Sequence, residues 1–193
     1  MVVLSTRRKG KGDFIPKILV PLAEGFEEIE ALAVVDILRR AGIDVVTVGM
    51  IGNIVTSSHK VRMHADERLI DMEDFSKYDG VVLPGGSPGY ENLMRSEKVL
   101  KIVDAFAKSG RLVGAICGAP AILVKLGLLK DKRATAHPDV IKSLDKPRGD
   151  KVVVDGNIIT SQGPGTAVEF ALRIVEHLLG KAKASQIRQH IVA

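Results

Sequence analysis

One cysteine stands in the 193 residues and there is no tryptophan; five phenylalanines and two tyrosines make up the aromatic content. A lone cysteine cannot close an intramolecular disulfide, which excludes a cross-linked secreted scaffold and agrees with a reducing compartment. No apolar run approaches the roughly 18 residues that a membrane span needs. The stretch "MVVLSTRRKGKGDF" carries its charges after a short apolar segment, which is not the layout of a signal peptide. The expectation is a cytoplasmic protein with no membrane partner. Internal repeats, low-complexity tracts and a glycine-rich loop of the P-loop type are also missing. His59 and His64 lie five apart with no third ligand evident, so they read as solvated and no metal is assigned.

The net charge of +5 suggests a nucleic-acid partner, but it is unevenly placed. Arg7, Arg8, Lys9 and Lys11 against Asp13 put +3 of it in the first fourteen residues, leaving +2 for the rest. With no basic stripe interleaved with aromatics and no recognition-helix or RNA-binding signature, nucleic acid is set aside. Residues 1–14 read as a basic, flexible tail and residues 15–193 as one domain, long enough to bury its own core.

What is present is an alternation. The β-branched runs "KILVPL", "IDVVTVG", "GVVLPGG" and "RLVGAIC" are separated by helical stretches such as "EEIEALAVVDILRRAG" and "SEKVLKIVDAFAKSG". Continuous apolar strands alternating with helices imply βαβ units and a mostly parallel, doubly wound α/β sheet. In the first helix Ile29, Leu32, Ala33, Val35 or Asp36, and Leu38 recur near helical spacing and predict the inward face, with Ala31, Val34 and Val35 as apolar residues to spare beyond it. Arg39 and Arg40 in its last turn and Gly42 beyond are stop signals. Near the C-terminus, "KVVVDGNIITSQGPG" reads as two strands around an Asp155-Gly156-Asn157 turn, followed by an amphipathic helix and a short last helix.

Ligands of open parallel sheets sit beyond the carboxyl ends of the strands, and three such ends are unusual here: "VPLAEGFEEIE", "LPGGSPG" and "AICGAP". Cys117 ends its strand instead of lying within it. Strand, Cys-Gly turn and a helix from Ala119-Pro120 form the layout of a nucleophile elbow, and a helix start lowers a thiol's pKa. Buried filler and nucleophile both remain open for Cys117 on the residues alone. Gly85 and Gly86 supply the N–H groups of an anion nest or simply end a strand. His137, before a proline in "ATAHPD", is a turn residue or a helper. Composition does not choose among Glu27, Glu28 and Glu30, since acidic residues are expected at a helix start.

"AEGFEEIE", "VVLPGG", "AICGAP", "ATAHP" and "TSQGPGTAVEFAL", in that order, resemble the ThiJ/PfpI family, in its parkinsonism-associated branch, over about residues 16 to 192. The resemblance implies a flavodoxin-like three-layer α/β sandwich, related to class I glutamine amidotransferases, and a homodimer. It implies a reactive Cys117, Glu30 as the carboxyl group bonded to it, His137 nearby, and Gly85, Gly86 and Gly118 as N–H donors. Gly118 stands where the peptidase branch carries a histidine, which argues against proteolysis. The implied activity is a cofactor-independent glyoxalase or deglycase acting on methylglyoxal-like dicarbonyls or early glycation adducts. The alternative is an oxidation sensor or holdase chaperone built on the same thiol.

Overall fold

The computed structural model describes residues 14–193, so residues 1–13 of the expected basic tail lie outside the described residues. The chain runs β1 (Lys17–Leu22), α1 (Glu28–Arg40), β2 (Asp44–Gly49), the hairpin β3 (Ile54–Thr56) and β4 (Arg62–His64), then β5 (Glu67–Arg68). It continues through β6 (Gly80–Leu83), α2 (Gly89–Arg95), α3 (Glu97–Lys108), β7 (Leu112–Ile116) and α4 (Pro120–Lys125). The last part holds β8 (Arg133–Ala134), α5 (Pro138–Ile141), β9 (Lys146–Pro147), β10 (Val152–Asp155), β11 (Ile158–Ser161), α6 (Ala167–Leu179) and α7 (Lys181–His190).

Seven strands form one sheet in the order β10-β11-β7-β6-β1-β2-β5. All its pairings are parallel except β10 against β11, the hairpin expected at Asp155-Gly156-Asn157. Its five principal parallel strands, taken in chain order, lie 2-1-3-4-5, the flavodoxin-like order, whose crevice opens where the winding reverses, between the first and third. Here that is the gap between the ends of β1 and β6. A core forms on each face: α1 and α6 cover one, with Val34, Leu38, Phe170 and Ile174, and α3 and α4 cover the other, with Val99, Val103, Phe106 and Ile122. The expected three-layer α/β sandwich with a mostly parallel sheet is what the chain forms.

Local chemistry accounts for the element ends. The Ser96 hydroxyl accepts from the Val99 N–H and starts α3. Arg39 and Arg40 sit in the last turn of α1, and Gly42 turns the chain at φ +83°. No helix among the described residues is long and apolar enough to cross a membrane.

The orientation of α1 corrects the sequence reading. Ala31, Val34, Val35, Ile37 and Leu38 are buried with Glu30, whereas Ile29 is 56% exposed and Leu32 42%. The reason is Glu30: a hydrophobic count places a glutamate outside, but here its carboxyl enters the crevice and turns the helix with it. Truncation tests this. Leu38→Ala is expected to cost about 2–5 kcal/mol in urea unfolding, and Leu32→Ala less than about 1. Equal losses at the two positions contradict the rotated face.

Candidate active site

Three strand ends converge. After β1 the chain enters α1 through Glu27, whose carboxylate accepts the Glu30 N–H at 2.7 Å and caps the helix. Two residues past β6, the Gly85 N–H donates to Glu30 Oε2 at 2.7 Å, and the Gly85 carbonyl accepts from the Glu27 N–H at 3.0 Å. The two loops are thereby fastened to each other. Cys117 follows β7 directly, and its thiol engages the Glu30 carboxyl, while the N–H groups of Gly118 and Gly86 face the sulfur.

Cys117 adopts φ +64°, a left-handed conformation that costs a non-glycine residue about 1–3 kcal/mol. Three backbone bonds hold it there: Cys117 N–H to Ser161 O (3.0 Å), His137 N–H to Cys117 O (2.9 Å) and Ala119 N–H to Ile116 O (3.0 Å). The turn presents the sulfur to the crevice. Gly85 makes the approach possible, since a Cβ there would fall 2.7 Å from both Cys117 Cβ and Glu30 Oε2.

The electrostatics are those of a coupled pair. Glu30 is fully buried, and burial pushes its carboxyl up to about 7 against the pull of the Gly85 N–H and the Cys117 thiol; the Glu27 charge adds to the rise. Burial likewise pushes the Cys117 thiol up to about 12, followed by the charge and hydrogen bond of Glu30, while the Gly118 and Gly86 N–H groups pull it down. A thiol held below its free value was the sequence expectation; burial beside an ionised Glu30 reverses it. Whichever group ionises first raises the other. Between about 7 and about 12 the pair therefore carries one charge and keeps one proton.

The structure separates the three glutamates that composition left equal. Glu27 caps α1. Against desolvation, which raises it, its own backbone N–H and bonds from His59 and Ser58 hold the Glu28 carboxyl below its ordinary value. Glu30 alone enters the crevice. His137 is tied to Cys117 through its backbone, but its ring is 42% exposed and lies 3.3 Å from the Asp139 carboxylate. His59 does have acidic neighbours, since its ring and the carboxylates of Glu27 and Glu28 offer donor atoms within 4.8 Å of one another. His64 instead meets the Asn53 amide at 3.0 Å. Tyr90, which sequence reasoning passed over, packs its ring against Gly118.

Residues 16–177 match the DJ-1/PfpI family. Protein DJ-1 homolog B of Arabidopsis thaliana is 46% identical over 177 residues, which cover 89% of this chain and 40% of that protein. The chain thus spans less than half the length of that relative and of its homolog A, of which 45% is covered. The glutathione-independent glyoxalase DJR-1.2 of Caenorhabditis elegans is 36% identical, over 88% of this chain and 91% of its own. Among solved structures, oxidized DJ-1 of Toxoplasma gondii superposes with a TM-score of 0.88 at 36% identity, covering 92% of this chain and 98% of that one. Fold, strand order and a match along most of the sequence agree: the chain belongs to the DJ-1/PfpI family.

Proposed function

We propose that this chain is a cysteine-dependent glyoxalase or deglycase that acts on small dicarbonyls such as methylglyoxal, or on early glycation adducts, without an organic cofactor. The observation that carries the reading is one buried carboxyl against one cysteine, with backbone N–H groups facing the sulfur. The relative named as a glutathione-independent glyoxalase supports it.

In this mechanism the Cys117 thiol passes its proton to the Glu30 carboxylate as the sulfur attacks the aldehyde carbon of methylglyoxal. The carbonyl oxygen becomes the oxygen of a hemithioacetal, steadied by the N–H groups of Gly86 and Gly118 with Gly85 beside them. Glu30 gives its proton to that oxygen and, a carboxylate again, takes the proton from that carbon and returns it to the neighbouring carbon, while the hydroxyl proton passes to the oxygen on the neighbouring carbon. The former aldehyde carbon is then the acyl carbon of a lactoyl thioester. Water cleaves the thioester, giving lactate and the free thiol, so the net change is addition of one water to methylglyoxal. His137 is a helper at the rim in this scheme. A buried Glu30 with a raised pKa suits the proton transfer, because it is a stronger base than an exposed carboxylate yet is readily reprotonated near neutral pH.

A second reading uses the same thiol as an oxidation sensor. A lone cysteine has no resolving partner, so peroxide carries it toward sulfinate, and a solved relative is described as oxidized.

The homodimer implied by the family resemblance remains part of the proposal, with the apolar residues on α1 corrected: Ile29 and Leu32 face outward, not Ala31, Val34 and Val35, which are buried. Light scattering at micromolar concentration is expected to show a dimer for the parent chain and a monomer for Ile29→Asp/Leu32→Asp. A dimer that survives both changes moves the interface elsewhere.

For the reaction, pure protein given methylglyoxal without glutathione is expected to release lactate. Cys117→Ser abolishes this, Glu30→Gln lowers it by the 10²- to 10⁴-fold typical of a missing acid-base group, and Glu28→Gln retains it. Full turnover in Glu30→Gln overturns the mechanism.

Stability carries the same signature with a defined sign. A carboxyl at about 7 in the folded state against 4.5 in its ordinary state makes the native chain bind more protons between those values. That contribution is complete below 4.5 and lost as pH rises through about 7. Glu30→Gln is therefore expected to be more stable than the parent at pH 8, by on the order of 1–3 kcal/mol, with the gap closing toward pH 4.5. A gap independent of pH contradicts a raised Glu30.

A further inference from the structure

The two N–H groups that face the Cys117 sulfur come from separate loops: Gly86 from the connection between β6 and α2, Gly118 from the turn between β7 and α4. Their span across the sulfur decides how well a thiolate is held, yet no hydrogen bond joins Gly86 directly to Gly118. Tyr90, in the first turn of α2, touches both. Its N–H donates to Gly86 O at 2.9 Å, and its ring lies against Gly118 so closely that a Cβ there would fall 2.5 Å from Cδ1 and from Cε1. Gly118 is not among the positive-φ glycines, so backbone conformation does not demand glycine. The ring does. On its other side Gly86 is wedged at φ +87°, with an added Cβ falling 2.6 Å from Phe26 C.

We propose that Tyr90 is a positioning residue, a strut that sets the distance between the Gly86 and Gly118 N–H groups and so prepares the anion nest around the Cys117 sulfur. The inference rests on the reading of Cys117 as the reactive group and adds a residue to that site. Donors fixed in advance require no reorganisation when charge arrives, whereas donors on two free loops must be gathered each time. Tyr90 also lies in the field of the sulfur: burial first, then the charge and hydrogen bond of Glu91, then the charges of Cys117 and Asp139 raise its phenol. The bracing belongs to the ring, and the hydroxyl is dispensable for it.

The test is the pH profile of Cys117 alkylation by iodoacetamide in the full chain, with circular dichroism to establish folding. Tyr90→Phe keeps the ring and is expected to follow the parent profile within about twofold. Tyr90→Ala, or Tyr90→Leu should alanine fail to fold, is expected to shift the midpoint upward by about one pH unit, a roughly tenfold slower reaction on the rising limb. Gly118→Ala, which drives a methyl into the ring, slows the parent by a similar factor but adds little further loss when combined with Tyr90→Ala. A Tyr90→Ala profile that superimposes on the parent overturns the strut, as does a Tyr90→Phe loss equal to that of alanine. Additive losses in the double variant overturn it too. If Cys117→Ser still releases lactate from methylglyoxal, the reactive-cysteine reading falls, and the strut with it. An active parent that Cys117→Ser silences, with a flat Tyr90 series, removes the strut alone.

Discussion

A carboxyl and a thiol pressed together out of reach of water cannot both ionise near neutral pH, and the rest of this structure is arranged around that constraint. Burial raises Glu30 to about 7, and the thiol of Cys117 beside its charge to about 12. One proton stays in the crevice across the whole interval between. A site that keeps a nucleophile and an exchangeable proton in contact has the two elements that moving hydrogen between adjacent substrate carbons demands. The cost is paid in stability, since a pair that must carry a charge in a desolvated place works against folding above pH 7.

The scaffold makes that contact hard to avoid. The winding reversal between β1 and β6 opens the crevice, the Glu27–Gly85 and Gly85–Glu30 hydrogen bonds close one loop on the other, and β7 delivers Cys117 beside them. Left-handed φ at Cys117 is tolerated because Ser161 and His137, on two other segments, supply its backbone partners and the Ala119 N–H to Ile116 O bond closes the turn. Strain and burial thus meet at one residue and are countered by the parallel sheet on which it sits.

How far this was legible in the sequence follows from what each signal measures. Apolar β-branched runs report burial on both faces, so the parallel sheet and its helices could be read directly, and the Asp-Gly-Asn turn gave the antiparallel edge. The face of α1 was misread because hydrophobic spacing assumes that charges point outward, and Glu30 points inward. Position among Glu27, Glu28 and Glu30 depends on about 100° of helical rotation per residue relative to a loop distant in sequence, which no local pattern records. Family resemblance named Glu30, Cys117 and His137 as neighbours. It did not show that the His137 ring turns toward Asp139, nor that burial, with the Glu30 charge added, reverses the thiol shift. Tyr90 carried no motif of its own; its trace was the glycine after the cysteine, a position whose backbone does not ask for one.

The central claim is that burial lifts both groups, so that across neutral pH the pair holds one charge, on Glu30, and one exchangeable proton, on the Cys117 sulfur. Following the Glu30 carboxyl-carbon NMR shift and the ultraviolet thiolate absorbance together, as pH is raised on the isotope-labelled protein, tests it directly. The account predicts that the carboxyl signal moves near pH 7 while thiolate absorbance stays absent until far above the ordinary thiol range, and that Cys117→Ser keeps the carboxyl titration well above 4.5, because burial is its largest cause. A carboxyl signal that moves near its ordinary 4.5, or a thiolate that absorbs at neutral pH, contradicts it.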